Sequence, residues 1–402
     1  MTTLRIGFYL FHYPESGGTT TALRGLSSAL SRLGHTAIIY CCGGAGAPHP
    51  GDAAGPRVQW FAGAGRNPFH VPTALLERLR NNQDKLDLLV VHGSFNTRMP
   101  AVAKAARRAG IPYVVWQPGL YHPEVFKKNR WRKWAYIALC ERPMLRAAAA
   151  VQVFSERQTE WLRELGVHTA SFVTALGVDP HELDEAILRS VRSDDVTPGR
   201  PVQFLYLGRM DVHTKGLDLL LEALSLGLRQ KRLPADAQLV MVGPDQAGGQ
   251  LYLQRMAQQL GIRENVRFRG PLLGADKWTA ILSCDALVLP SRHDAFPTVV
   301  VEAMAAARIV VVTNETGVSH LVERERCGYS IPATAAGILG GLQQVVESSA
   351  EWGEMATRGR ACVHDHLTWE RIARRVGEFY GSVLDGSQPK PGRLPAWERA
   401  AI

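Results

Sequence analysis

Short apolar runs alternate with longer amphipathic stretches along most of the chain. Apolar runs of about four to eight residues that end at Gly, Pro or polar residues predict strands buried on both faces. They predict strands over 4–11, 36–40, 86–91, 113–116, 151–154, 170–174, 203–207, 238–242, 266–269 and 286–289. Apolar residues at helical spacing predict helices over 20–33, 100–109, 156–165, 217–228, 250–260, 277–283 and 369–384.

Strand and helix follow each other in two successive series. Such alternation favours right-handed βαβ units and a parallel sheet. The first series ends near residue 179, and the second begins at 203, after a polar segment. We therefore predict an α/β protein of two Rossmann-like, doubly wound domains that face each other, with ligands in the cleft between them.

The length of 402 residues also suits two domains better than one core. We predict a first domain over 1–180, a linker over 181–201 and a second domain over 202–367. The segment 368–385 is predicted as a helix that crosses back to the first domain, and the Pro-rich segment 386–402 as a loosely ordered tail.

Composition limits the compartment and the partners. The chain has 46% apolar and 21% charged residues, and no apolar run approaches the roughly 18 residues that a membrane-spanning helix needs. The N-terminus lacks the pattern of a signal peptide, and the six cysteines lack metal-type spacing, which favours a cytoplasmic protein with reduced thiols. The net charge of +9 invites anionic partners.

Two acids stand out in the stretch from 286 to 307, ALVLPSRHDAFPTVVVEAMAAA. Asp294 is predicted in the loop after a buried strand, and Glu302 in the second turn of a helix that begins at Pro297. Ligands bind at this edge of an open α/β sheet, and two carboxylates there can accept hydrogen bonds from sugar or ribose hydroxyls. The alternative is that Asp294 is a solvated loop acid or helix cap and Glu302 a surface residue.

A second candidate lies in the loop 208–216, which follows the predicted strand over 203–207. Arg209 can bind phosphate oxygens with its forked guanidinium, and Lys215 can add a point charge at the start of the next helix. Together they could hold a diphosphate. Alternatively, both are solvated cations, and the loop has neither a GxGxxG nor a Walker sequence.

The first domain offers weaker candidates. Gly17 and Gly18 follow the first strand, where glycine lets backbone N–H groups approach a phosphate or sugar, although a Gly-Gly pair is also simply a turn. His92 and His122 follow predicted strands, at the edge where an acceptor could bind. Each could equally be a polar loop residue with a structural role.

A basic and aromatic stretch, FKKNRWRKW, begins at Phe126 and ends at Trp134. A helix of this composition can lie on an anionic membrane surface, where each cation adds about 1 kcal/mol. It could also be a solvated face with its tryptophans turned inward. Nucleic acid is the least favoured partner, because no nucleic-acid-binding motif accompanies the stretch.

The combination of Arg209, Lys215, Asp294 and Glu302 resembles the retaining GT-B glycosyltransferases of family 4, and the resemblance covers most of the chain. In that family the first acid of an E-x7-E motif contacts sugar hydroxyls, the second holds the ribose, and the Arg and Lys bind the donor diphosphate. The resemblance thus implies catalytic roles for Arg209, Lys215 and Asp294. It implies a donor site of Gly17, Gly18, Arg209, Lys215, Gly270, Asp294, Ala295, Phe296, Thr298 and Glu302, with His92 and His122 on the acceptor side.

The chain departs from the family pattern at several positions. Asp294 stands where the family has Glu, which shortens the side chain by a methylene. Ala307 stands where Gly is usual, and His320 where a glutamate often occurs. Gln117 occupies the loop in which many relatives carry a histidine, which leaves His92 and His122 as the candidates in the first domain.

The resemblance implies a retaining, metal-independent hexosyltransferase without a cofactor. It would transfer a sugar from a UDP- or GDP-sugar to a glycan or lipid-linked acceptor, in polysaccharide or lipopolysaccharide synthesis, at the inner face of the membrane. One alternative is a transferase with a small soluble acceptor. Another is a protein that binds sugar nucleotides without turnover, because of its shortened acid and missing histidine.

Overall fold

The computed structural model describes residues 2–11, 18–42, 56–63, 67–93, 95–116, 129–179, 183–184 and 200–387. The chain divides into two compact units. Among the described residues, the first comprises those up to Leu176 and those over 369–387, and the second comprises those from Gly177 to Thr368. Among the candidate residues, Gly17 and His122 lie outside the described residues, as does most of the predicted linker.

The first unit is a parallel sheet flanked by helices. Its strands are β1 (Arg5–Tyr9), β2 (Thr36–Cys41), β3 (Arg57–Trp60), β4 (Leu88–His92), β5 (Tyr113–Trp116), β6 (Ala150–Val153) and β7 (Ser171–Val173). Its helices before the second unit are α1 (Gly18–Arg32), α2 (Thr73–Arg80), α3 (Met99–Arg108), α4 (Arg130–Tyr136), α5 (Arg142–Arg146) and α6 (Glu156–Glu164). A π-helical turn, Ile137–Glu141, joins α4 to α5.

The second unit repeats this architecture with one strand fewer. Its strands are β8 (Gln203–Leu207), β9 (Gln238–Val242), β10 (Val266–Arg269), β11 (Ala286–Leu289), β12 (Ile309–Thr313) and β13 (Gly328–Ile331). Its helices are α7 (Leu217–Arg229), α8 (Gly249–Gln259), α9 (Gly274–Leu282), α10 (Thr298–Ala305), α11 (Ser319–Glu325), α12 (Ala335–Glu347) and α13 (Trp352–His366), with short 3₁₀ turns at Arg263–Asn265 and Ser349–Glu351.

Both sheets are doubly wound. The first has the strand order β3-β2-β1-β4-β5-β6-β7 and the second β10-β9-β8-β11-β12-β13, and the registered pairs within them are parallel. The order reverses between β1 and β4 in the first sheet and between β8 and β11 in the second. The prediction of two Rossmann-like domains is therefore confirmed. Ligands of such sheets bind beside the carboxyl ends of the strands at these switch points.

The last helix, α14 (Trp369–Leu384), belongs to the first unit although it follows the second in sequence. The indole of Trp369 packs on Gly25 of α1, where even an added Cβ would come within 2.2 Å of the ring. Phe379 stacks on Phe172 with ring centroids 4.2 Å apart, and the Tyr380 hydroxyl donates to Gln152 Oε1 at 2.8 Å. These contacts fix α14 to the first unit's helices and sheet.

Candidate active site

The side chains of Lys215 and Asp294 form an ion pair at the switch point of the second sheet. Lys215 ends the loop after β8, and Asp294 lies in the loop after β11. Their side chains are only 16% and 17% exposed. The alternative of a solvated lysine and a solvated loop acid is therefore wrong for this pair, and the two predicted site residues are in direct contact.

The backbone brings these two loops together closely. Gly216 adopts a left-handed conformation, with φ +64°, and a Cβ there would lie 2.0 Å from the carbonyl oxygen of Pro290. Only glycine fits such an approach without moving the neighbouring backbone. In addition, the paired region of β8 and β11 stops before the carboxyl ends of the two strands. Within it, Phe204 pairs with Ala286 and Leu205 pairs with Leu287.

The loop after β12 holds the backbone of Asp294. The N–H of Gly317 donates to the Asp294 carbonyl at 2.8 Å, and the Asp294 N–H donates to the Glu315 carbonyl at 3.3 Å. A Cβ on Gly317 would lie 1.8 Å from the carbonyl oxygen of Ala295. The sequence therefore needs a glycine at 317 so that this loop can close on Asp294.

Arg209 is exposed, and its side chain is held at one end. Its Nη1 donates to Gln246 Oε1 at 2.7 Å. The buried Tyr206 hydroxyl donates to the Arg209 carbonyl at 2.6 Å, which fixes the backbone of the loop at its first residue. Burial raises the pKa of Tyr206, the negative charge of Asp294 raises it further, and the positive charge of Arg209 lowers it. Both charges thus act on the same hydroxyl.

Glu302 lies on α10, with 7% of the residue exposed. Its Oε1 accepts a hydrogen bond from Lys277 Nζ at 3.0 Å, and that ammonium also lies 4.7 Å from the centroid of the Trp278 ring. A buried carboxylate needs such a partner, because taking its charge out of water is costly. The alternative of a surface helix residue is therefore wrong for Glu302.

The other donor-side candidates lie around these two acids. Ala295 and Phe296 follow Asp294, with Phe296 5% exposed, and Thr298 is the first residue of α10. Pro297 was expected at that first position but is the extended residue that precedes the helix, with ψ 105°. Gly270 follows β10 and is exposed, with no atom within 4 Å of an added Cβ.

His92 is the last residue of β4 rather than a loop residue, and only 2% of it is exposed. Burial lowers the pKa of its imidazole to about 4. Its ring packs edge-on against Trp116, with centroids 4.6 Å apart, and its Nδ1 has no hydrogen-bond partner among the described residues. Gly18 is exposed at the start of α1.

Sequence reasoning missed Lys277, Tyr206 and Gln246, which hold Glu302 and Arg209. Lys277 is an ordinary helix residue in sequence, and Tyr206 is one more apolar position of a buried strand. Only the strand order brings these side chains to the site. The sequence signal nearest to these residues was the loop bounded by Gly208 and Gly216. Tyr206, whose hydroxyl supports Arg209, lies two residues before that loop.

The basic and aromatic stretch is described from Asn129 onward. No residue of α4 is buried, and Trp131 is 71% exposed. Leu139, on the π-helical turn that continues α4, is 77% exposed, and Arg130 and Arg132 lie on the same exposed helix. The alternative in which the tryptophans turn inward is wrong for Trp131.

Within the described ranges, no group of three or more His, Cys, Asp or Glu side chains is placed to hold a metal ion. Within the same ranges, no helix has both the length and the apolar character needed to span a membrane.

The chain matches two protein-family models, one in each half. The model of the "Glycosyl transferases group 1" family matches residues 190–360, which include all four charged site residues. The model of the "Glycosyl transferase 4-like domain" matches residues 17–175. This chain belongs to the family 4 GT-B glycosyltransferases. The family resemblance and the GT-B fold class predicted from the sequence are confirmed.

Curated relatives align with different lengths of this chain. It is 28% identical to an uncharacterized glycosyltransferase of Methanocaldococcus jannaschii over 218 residues, 52% of this chain and 53% of that protein. The chain thus aligns with about half the length of that relative. It is 25% identical to phosphatidyl-myo-inositol mannosyltransferase of Mycobacterium tuberculosis, over 94% of this chain and 97% of that protein.

A solved structure supports the GT-B fold over nearly the whole chain. The structure of Anabaena Alr3699/HepE in complex with UDP and glucose superimposes with a TM-score of 0.73. The match covers 94% of this chain and 100% of that one, at 19% sequence identity.

Proposed function

We propose that this glycosyltransferase is a retaining enzyme that transfers a sugar from a UDP- or GDP-sugar to a glycan or lipid-linked acceptor. The reaction would belong to the synthesis of a cell-surface polysaccharide or lipopolysaccharide. One observation carries the proposal. A lysine–aspartate pair and a buried glutamate lie at the carboxyl edge of the second sheet, on the loops and the helix that follow β8 and β11.

The cations suit the leaving group. When the bond between the anomeric carbon and the diphosphate oxygen breaks, negative charge builds up on the diphosphate. Fixed cations aimed at that charge stabilise the transition state more than the bound donor. Lys215 is mostly buried, so its charge is poorly screened by water, and Arg209 is exposed, with a guanidinium that can donate to phosphate oxygens.

The acids suit the rings on either side of the diphosphate. A carboxylate has about four acceptor sites, so a single lysine contact leaves room for hydroxyl donors. We assign Glu302 to the ribose hydroxyls and Asp294 to the sugar hydroxyls. We also assign Ala295, Phe296, Thr298 and Gly270 of the second unit to the donor, and Gly17 and Gly18 stay predictions from the sequence.

The new bond forms between the anomeric carbon and an acceptor oxygen. That oxygen loses its proton, and we propose that a departing phosphate oxygen takes it. The configuration at the anomeric carbon is retained. The two cations supply the positive charge that a divalent metal would otherwise supply, so we propose that the reaction needs no metal.

Two comparisons support the donor and acceptor classes. The HepE structure, whose fold this chain shares, holds UDP and glucose. The relative that matches almost the full length of this chain is named a phosphatidyl-myo-inositol mannosyltransferase. Because that name refers to a lipid, the match supports a lipid-linked acceptor. His122 remains our candidate for the acceptor side, and we propose a structural role for His92, whose imidazole is buried.

We further propose that α4 places the enzyme at the inner face of an anionic membrane. Exposed Trp131 and Leu139 can enter the interface between headgroups and acyl chains, while Arg130 and Arg132 attract acidic lipids. A lipid-linked acceptor lies at such a surface, so the same helix would bring the enzyme to its acceptor.

The donor is tested first, by titration calorimetry of the purified protein with UDP-, GDP- and ADP-sugars. We expect one nucleotide class to bind and Arg209→Ala to slow turnover by roughly tenfold or more, because a hydrogen bond to a charged group contributes about 1.5 to 3 kcal/mol. The matched control is Arg232→Ala, an exposed arginine after α7. Parent-rate turnover by Arg209→Ala would show that the diphosphate assignment is wrong.

The acceptor is tested with a panel of lipid-linked, glycan and small soluble acceptors, with release of nucleoside diphosphate as the readout. Turnover on lipid-linked or glycan acceptors supports the proposal, and turnover on small soluble acceptors alone supports the first alternative. Tight donor binding without any release would select a binding protein without turnover. NMR of the product gives the anomeric configuration, and turnover in excess EDTA tests the independence from metal.

Membrane contact is tested by co-sedimentation with phosphatidylglycerol and phosphatidylcholine vesicles. We expect binding to the anionic vesicles only, and its loss when Trp131 and Leu139 are both changed to serine. The matched control changes Leu251 and Tyr252, which are 53% and 55% exposed on α8, to serine. Equal binding by both double variants would contradict a role for α4.

A further inference from the structure

Arg292 joins the loop of Lys215 to the loop of Asp294. It lies just before Asp294, and its side chain is 23% exposed. Its Nη1 donates to the His213 carbonyl at 2.8 Å, and its backbone N–H donates to the Thr214 carbonyl at 3.0 Å. Both carbonyls belong to the loop that ends at Lys215.

The same guanidinium forms a bidentate ion pair with Asp218. Nη1 contacts Oδ1 and Nη2 contacts Oδ2, both at 2.8 Å. Asp218 lies in the first turn of α7, and this helix begins directly after Lys215 and Gly216. Arg292 therefore holds Lys215 from both sides, through the residues before it and the helix after it. A bidentate pair between arginine and a carboxylate is stronger than a single hydrogen bond and also fixes the geometry of the two groups.

The close approach of the two loops does not by itself set their alignment. Gly216 allows contact with Pro290, but van der Waals contact permits small sliding movements. The directed hydrogen bonds of Arg292 do not, because they weaken steeply when their angles change. The ion pair between Lys215 and Asp294 forms across the junction that Arg292 fixes.

We propose that Arg292 is a positioning residue for the Lys215–Asp294 pair, and that it aligns this cation with the donor diphosphate. This role rests on the proposed function. The guanidinium of Arg292 is engaged by Asp218 and His213, so it acts through the loop of Lys215 rather than by contact with the diphosphate. A misalignment of about 1 Å at a reacting group can slow a reaction by roughly a hundredfold.

Hydrogen exchange without nucleotide tests the positioning itself. We expect the amides of 209–216 to exchange about tenfold faster in Arg292→Leu than in the parent, because a local contact that holds the loop closed is lost. Arg292→Lys keeps the charge but not the bidentate pair and should lie between the two. The control Arg232→Leu, after α7 on the same unit, should leave this loop unchanged. It removes an exposed arginine whose Nε donates to Gln343.

Binding and turnover then test what the positioning is for. We expect Arg292→Leu to weaken UDP binding about tenfold and to lower kcat by more than it raises KM, because an aligned cation contributes most in the transition state. Asp218→Asn should reproduce much of this loss. The double variant should lose less than the sum of the two, because both residues act through one ion pair.

The outcomes separate this role from the proposed function. The positioning role would be overturned, and the proposed transferase function kept, by one combination of results. Arg292→Leu would keep the parent's amide protection and UDP affinity, whereas Lys215→Ala would lose both the protection and the affinity. A parent protein that binds no nucleoside diphosphate would overturn both. If Arg292→Leu does not fold, Arg292→Lys carries the test, and parent-like exchange, kcat and KM in that variant would overturn the role.

Discussion

The two sheets have the same order around their switch points but opposite chemistry there. In the first unit, Tyr9 and His92 end β1 and β4 and are almost fully buried, and burial lowers the pKa of His92 and raises that of Tyr9, which favours the neutral forms of both. In the second unit, the loops after β8 and β11 carry charged side chains that pair with each other. Among the described residues, two strands of the first sheet thus end in neutral side chains, whereas the loops after β8 and β11 carry charges.

This difference shows which features come from the fold and which from the sequence. The fold supplies an open position where strand order reverses, in both sheets. Side chains decide what it can bind. Lys215, Asp294 and Glu302 make the second position suitable for a diphosphate and hydroxyl groups, whereas β1 and β4 end in the buried, neutral side chains of Tyr9 and His92. We therefore expect substitutions to affect turnover in the second unit and stability in the first.

The largest effect is expected when Lys215 loses its charge. Lys215→Ala should lower kcat by about 10²- to 10³-fold, which is the range for removing a group that stabilises developing negative charge. The control is Lys104→Ala, an exposed lysine on α3. Steady-state kinetics with the nucleotide sugar that binds in the calorimetric test provide the measurement. A loss below about threefold would remove the contrast between the two edges.

The neutral state of His92 predicts a pH dependence of stability in the first unit. Its pKa is about 4 in the folded protein and about 6.5 in an unfolded chain, so below pH 6.5 the unfolded chain takes up a proton that the folded protein does not. Stability should therefore fall as the pH falls from about 6.5 to about 4, by up to roughly 3 kcal/mol.

Denaturant unfolding between pH 7.5 and 4.5, followed through hydrogen exchange of the first unit's strands, measures this fall. His92→Gln should flatten the slope, whatever its effect at neutral pH. His364→Gln should leave the slope as it is, because His364 is 75% exposed on α13. A parent-like slope in His92→Gln would show that the buried imidazole is not the cause.

A smaller loss is expected at Glu302. Glu302→Ala should slow turnover by roughly tenfold or more, because a hydrogen bond from a donor hydroxyl to a charged acceptor contributes about 1.5 to 3 kcal/mol. Glu354→Ala is the matched control, since Glu354 is 84% exposed on α13. If the Glu302 variant keeps the parent kcat/KM, the ribose assignment is wrong.

The smallest effect concerns the end of α10. Ala307 has φ +53°, and the N–H groups of Ala307 and Arg308 donate to the carbonyls of Met304 and Ala303, as in a Schellman motif. Glycine is preferred at that left-handed position, so Ala307→Gly should stabilise the second unit by about 1 kcal/mol.

Its matched control is Ala306→Gly, at φ −77°, which should destabilise the unit by about 0.5 to 1 kcal/mol. Denaturant midpoints of the three proteins give the comparison. Equal shifts in both variants would show that backbone strain at Ala307 does not decide the outcome.

The repeating fold could be read from the sequence because its central strands are continuous apolar runs. The strands β3, β12 and β13 were not predicted from the sequence, although β12 is itself a central and continuous apolar run. Two of these lie at sheet edges, where residues such as Arg57 remain exposed and break the apolar pattern. In β13, Gly328 leaves room for the carbonyl of Val310, which is a packing requirement that periodicity does not reveal.

The positions of the candidate residues at strand ends were predictable, but their contacts were not. A loop of glycine and cations after β8 and an acid after β11 indicated Arg209, Lys215 and Asp294, because strand ends meet at one edge. No pattern indicated that Lys215 pairs with Asp294 or that Lys277 holds Glu302, because those partners are far apart in sequence and meet only in the folded unit. His92 was expected in a loop, and its burial depends on packing against Trp116.

One crystal structure of the chain with UDP, or with the nucleoside diphosphate that binds best, tests the central claim most directly. The account predicts diphosphate oxygens about 2.7 to 3.1 Å from Lys215 Nζ and from the Arg209 guanidinium, and ribose hydroxyls at a similar distance from the Glu302 carboxylate. A diphosphate bound elsewhere, or one with Glu302 out of reach of the ribose, would contradict it.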